Sequence, residues 1–113
     1  MPTTNQSVNN RRLYELTEEA DADIQAVAHY TISTWGIEQA RRYEALLEKH
    51  LRAIGQQKVR TRIFLNHRPE LLVSRIEHHY VFHQLRKGQC PLILAVLHQN
   101  MDLINQLRAR LDS

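Results

Sequence analysis

The 113-residue chain reads as an α+β protein, with a helical hairpin packed on one face of a mainly antiparallel β-sheet. The order is β-α-α-β-β-β, with room for a short C-terminal helix. Three observations lead there. Two long stretches place apolar residues at helical spacing and are separated by a single glycine. The segments beyond residue 70 have strand lengths and alternate or run apolar. The link between the two helical stretches is too short for anything but antiparallel neighbours.

Residues 1–11 are polar and are expected to form a flexible tail, leaving one domain over 12–113. Leu13, Tyr14 and Leu16 suggest a short strand between Arg12 and Thr17. Thr17 suits a helix N-cap, and Glu18, Glu19, Asp21 and Asp23 crowd the turns where the helix dipole favours negative charge. Ala20, Ile24, Val27, Ala28, Ile32 and Trp35 then recur at threes and fours, which predicts one buried stripe ending at Gly36. Ala40, Tyr43, Leu47, Leu51 and Ile54 make the stripe of a second helix, with Gly55 expected to stop it.

Lys58 to Leu65 reads as an edge strand or an ordered loop, with Lys58, Arg60 and Arg62 pointing one way. Leu71 to Ile76 and His79 to Leu85 read as strands around a tight Glu77-His78 turn. Gly88 supplies the positive φ that the Arg86–Gln89 turn needs. Pro91 to Leu97, nearly all apolar, is expected to be central and covered on both faces. Asn100 is a candidate cap for a last helix carrying Leu103, Ile104, Leu107 and Leu111 on one face.

Composition excludes several classes. Cys90 is the only cysteine, so there is no intrachain disulfide, and beside a turn with no base at fixed spacing it is no candidate nucleophile. No CxxC or HExxH spacing suggests zinc, and no cofactor is expected. The longest apolar run, Leu92 to Leu97, is far short of the roughly 20 residues of a membrane span, and the polar N-terminus resembles no secretory signal. A cytoplasmic protein is therefore expected. The net charge of +3 conceals a split. Residues 1–48 carry eight acids against four arginines, and residues 49–113 carry eleven basic residues against four acids. The second half is suited to a negative partner, nucleic acid or an acidic protein segment.

Three stretches together resemble the RelE/ParE superfamily, the toxin halves of bacterial type II toxin–antitoxin pairs. Thr34-Trp35-Gly36-Ile37-Glu38-Gln39-Ala40-Arg41-Arg42-Tyr43 is similar to the family's inter-helix signature. Arg68-Pro69, leading to Ser74-Arg75-Ile76-Glu77-His78-His79-Tyr80-Val81-Phe82, resembles its hairpin. Val96-Leu97-His98-Gln99-Asn100-Met101-Asp102-Leu103 resembles the closing motif of the ParE branch. The chain departs from the pattern at Glu77, where the family usually has Gly, at His83, where an aromatic is common, and in the Gln56–Arg62 segment, which replaces an Asn-Pro-x-x-Gly linker.

The resemblance implies an antitoxin partner, folding onto the hairpin groove and a sheet edge, and one of two activities. The ParE branch implies an inhibitor of DNA gyrase with no chemistry of its own, for which Arg68, Arg75, His98 and Met101 are the candidate target contacts. The RelE branch implies a ribosome-dependent mRNA endonuclease. That chemistry needs a base, an acid and a cation at the scissile phosphate. Candidates are His79 and His83, placed on one strand face by alternation, with Arg75; His78, Arg60 and Arg62 are nearby in sequence. A degenerate, non-toxic interaction module is the third reading. Trp35 and Tyr43 are expected in the core, and Arg75 has an alternative use in a bridge to Glu77 or Asp102.

Overall fold

Thr17 begins the helical part as its side chain dictates: the hydroxyl accepts from the Ala20 amide at 3.0 Å. The computed structural model describes residues 12–112. In it β1 (Glu15–Leu16) leads into α1 (Glu18–Trp35) and α2 (Ile37–Gly55), followed by β2 (Arg62–Ile63), β3 (Leu71–Ile76), β4 (His79–Gln84), β5 (Leu92–His98) and α3 (Leu103–Leu111). The expected tail, residues 1–11, lies outside the described residues. The sheet order is β1-β5-β4-β3-β2. β1 runs parallel to β5, and the remaining pairs are antiparallel.

The sheet separates two apolar clusters. On the hairpin face, Ala20, Leu47, Leu51 and Ile54 pack against Val81, Ile93 and Val96. On the other face, Leu71, Val73, Phe82, Leu94, Ala95 and Leu97 surround Leu107 of α3. Leu94 and Ala95 are neighbours in sequence yet belong to the same cluster. A β-bulge explains this: pairing steps from Phe82↔Ala95 to His83↔Ile93, which leaves Leu94 unopposed and shifts the parity of β5. The apolar run is thus buried on both faces as expected, although β5 is second from the edge.

Several expectations change in detail. Only Arg62–Ile63 of the Lys58–Leu65 segment forms a strand, and only Glu15–Leu16 of the first one. Asp102, not Asn100, caps α3, accepting from the Asn105 amide at 3.3 Å. Gly36 does break the hairpin, at φ 95° and ψ 169°, a region essentially restricted to glycine. Gly55 is the last residue of α2, as expected, but it takes no positive φ. The positive φ that follows the helix comes two residues later, at Gln57 (φ 59°). A Cβ on Gly55 would meet the Leu13 carbonyl oxygen at 2.1 Å, so this glycine exists for close approach of two backbones.

The predicted α1 stripe is buried only at its start. Ala20 is fully covered, whereas Ile32 is 44% and Trp35 69% exposed. Helical spacing puts these residues on one face, where Val27 and Ala28 are half-buried against α2 and only Ile32 and Trp35 at the tip are left open.

Candidate functional site

The far half of the hairpin and the nearby end of the sheet enclose two adjoining clefts. One, of about 390 Å³, lies between Tyr30, Trp35, Gln39 and Arg42 of the hairpin and Glu77, His78, His79 and His98 of the sheet. The other, of about 360 Å³, continues from Tyr30, His79 and His98 to Asp23, Val27 and Met101. Together they form a groove with aromatic walls on the helical side and histidines along the sheet side. Tyr30 is 64% exposed and Ile37 52% exposed, so the apolar surface extends around the hairpin tip.

Local geometry fixes the sheet side. The Glu77-His78 turn joins β3 to β4, with Glu77 at φ 51°, a conformation that glycine would adopt without strain. His79 and His98 pair across β4 and β5, and their rings meet edge to face at 5.2 Å; His78 and His98 stack at 6.5 Å. The Tyr43 hydroxyl lies 2.6 Å from His79 Nδ1 and 3.3 Å from the Ile76 carbonyl, which locks the imidazole in place. Burial, with the His98 and His78 rings beside it, lowers the His79 pKa to about 4. Burial, and then the Glu77 carboxylate, raises that of Tyr43 to about 12. At neutral pH both are uncharged.

His83 shares the strand face of His79, as alternation requires, but that face points into the protein. It is 3% exposed, its Nδ1 has no hydrogen-bond partner, and burial followed by the nearby His50 lowers its pKa to about 4. His50 itself holds the Ser74 hydroxyl at 2.8 Å, and burial lowers its pKa. The two histidines therefore do not flank a site open to a phosphate.

Arg75 lies on the opposite face of the sheet, beyond reach of either. Its guanidinium sits 5.4 Å from the Tyr80 ring centre and donates to the Glu77 carbonyl at 2.9 Å and to Gln99 Oε1 at 2.6 Å. The expected bridge to a carboxylate is absent, because the Glu77 carboxylate faces Arg42 at 3.5 Å instead. Arg68 precedes β3 at the other end of the sheet and pairs with Glu70 at 2.9 Å. His98 and Met101 thus lie together at the end of β5, Arg75 reaches that end only from the opposite face through Gln99, and Arg68 lies elsewhere.

Trp35 lines the groove rather than the core, and Tyr43 does both: its ring is buried and its hydroxyl faces the groove. Sequence reasoning missed Tyr30, Gln39 and Arg42. Tyr30 carried a usable signal, an aromatic lying off the apolar stripe of α1. It also missed Asp23, which accepts from the Val96 amide at 2.9 Å and binds Arg110 through both oxygens. This pair links α1 to α3 across the edge of β5 where no strand covers it. Among the described residues, no group of three His, Cys, Asp or Glu is arranged to hold a metal, and no helix is long and apolar enough to cross a membrane.

Residues 14–103 match the family model described as the ParE toxin of the type II toxin–antitoxin system parDE. The chain belongs to the ParE toxin family. It is 41% identical over 102 residues to Toxin ParE of Escherichia coli, spanning 87% of this chain and 95% of the relative. Its fold matches a chain of a chromosomal ParDE toxin–antitoxin system from P. aeruginosa, with a TM-score of 0.64, 17% identity, and coverage of 75% of this chain and 92% of that one. It is therefore a toxin of a type II toxin–antitoxin system, with an antitoxin as its partner.

Proposed function

We propose that this ParE toxin inhibits DNA gyrase without catalysing a reaction, and that its antitoxin neutralises it by occupying the groove between Trp35 and Met101. One observation carries the non-catalytic reading. The three groups a nuclease would need are dispersed, with His83 buried, His79 held neutral against Tyr43, and Arg75 on the far side of the sheet. A histidine with a pKa near 4 is a weak base and is not protonated to serve as an acid at neutral pH.

The groove suits an antitoxin helix because its walls combine exposed aromatics with histidines, Gln39, Arg42 and Glu77, so an amphipathic segment finds both apolar and polar side-chain partners. His98 and Met101 at the end of β5, joined at the rim by Arg75 from the opposite face through Gln99, form the proposed target contact. Since His98 and Met101 also line the groove, a bound antitoxin covers part of that surface, and neutralisation follows from occlusion.

The test is a supercoiling assay with purified gyrase. The toxin is expected to block supercoiling and to accumulate cleaved DNA, and added antitoxin is expected to restore activity. Undisturbed supercoiling, together with cut mRNA in a translating extract, would replace this reading with the endonuclease one.

A further inference from the structure

A second surface lies away from the groove. From Lys49 to Pro69 the chain contains no acidic residue, while Lys49, Arg52, Lys58, Arg60 and Arg62 are all exposed. Among the described residues none of these five has an ion-pair partner, although five other arginines do. Lys49, Arg52 and Lys58 border one shallow depression on the outer side of α2, with Glu48 the only acid at its margin. Beyond it, exposure alternates: Lys58, Arg60 and Arg62 face outward while Val59 and Thr61 turn in, Val59 packing on the core. The strip ends on β2, the sheet edge opposite β1, and β1 is followed directly by the exposed acids Glu18, Glu19 and Asp21.

We infer that this strip binds the phosphate backbone of duplex DNA without sequence preference. Five unneutralised cations in a row are costly to gather unless an anion meets them. Arg60 and Arg62 lead into β2 as alternate residues on the exposed side, so both can meet the phosphates of one strand. The arginines present planar forks suited to phosphate oxygens. Phe64 is engaged edge to face with Phe82, and Tyr14, beside Arg52 and Glu48, is packed against the core, so neither offers an open face to stack an unpaired base and a duplex fits better than a single strand. An acidic protein segment would also need apolar anchors, and Ile63 is the only large exposed apolar residue along the strip. The inference stands independently of the gyrase reading, since bare DNA suffices to examine it.

Fluorescence anisotropy of the full-length toxin with two 20-base-pair duplexes of unrelated sequence tests the strip. Equal affinity for both is expected, falling roughly 40- to 500-fold between 50 and 200 mM salt if three to five phosphates are contacted. Lys58→Glu/Arg60→Glu/Arg62→Glu should weaken binding at least 10-fold, whereas Arg41→Glu/Lys87→Glu/Arg108→Glu, with the same net charge, should stay within about 3-fold. A Lys49→Gln/Arg52→Gln variant, which alters the strip away from β2, should show an intermediate loss. Equal weakening by the two triple variants would overturn the inference by reducing it to net charge. So would poly-glutamate binding as tightly as DNA at equal charge, which would assign the strip to an acidic protein, or an absence of duplex binding at 50 mM salt.

Discussion

The two ends of the helical hairpin are built from the same kinds of residue and put to different uses. At the base, Ala20, Leu51 and Ile54 are sealed against the sheet, and Gly55 lies so close to Leu13 that no side chain fits. At the tip, Tyr30, Ile32, Trp35 and Ile37 remain exposed around a turn fixed by Gly36. The base is consumed by folding, and the tip carries apolar surface that folding leaves uncovered. Large aliphatic and aromatic side chains therefore mark the core at one end and an interaction site at the other, and only coverage distinguishes the two.

Substitutions can break or sharpen that contrast. Gly55→Ala should have the largest effect. In an ordinary helix the change gains up to about 1 kcal/mol, but here the new Cβ meets the Leu13 backbone, so a loss of about 3 kcal/mol or more is expected in denaturant unfolding. A gain would mean that the base is not closed. Trp35→Ala should do the reverse, changing stability by about 0.5 kcal/mol or less while weakening antitoxin binding by about 2 kcal/mol or more, as titration calorimetry would reveal.

The buried histidines of the hairpin face add a pH dependence. Unfolded histidine takes up a proton near its ordinary pKa of 6.5, but folded His83 does so only near 4. Between those values the unfolded state binds more protons, so stability falls as pH drops from 6.5 towards 4, by on the order of 2–3 kcal/mol for His83. His79, lowered in the same direction, acts in the same window. His83→Phe should flatten the profile measured by thermal unfolding, and an unchanged slope would show that His83 is not its source. The smallest effect belongs to Glu77→Gly. Relief of the positive φ should outweigh loss of the exposed Arg42 pair and raise stability by about 0.5–1 kcal/mol.

Much of this was legible in the sequence, and the failures share a cause. Periodicity placed both helices and the three long strands, and alternation placed His79 and His83 on one face. Neither pattern says which face is covered, so Trp35 read as core and His83 as accessible. Gly55 read correctly as the end of α2, but the sequence did not show why a glycine is needed there. The required partner, Leu13, is 42 residues earlier in the chain and close only in the folded state. Asp23 read as a first-turn charge, and its link to Arg110 is likewise tertiary. Lys58–Leu65, read as an edge strand or an ordered loop, is mostly loop, with only Arg62–Ile63 paired to β3.

Hydrogen–deuterium exchange of the toxin, alone and with its antitoxin bound, tests the contrast most directly. Protection should appear at residues 30–43 and 96–101, with residues 13–20 and 51–59 unchanged because they lie at the far end of the hairpin from the groove. Protection confined to the base, with the Trp35 turn exchanging as freely as before, would contradict the account.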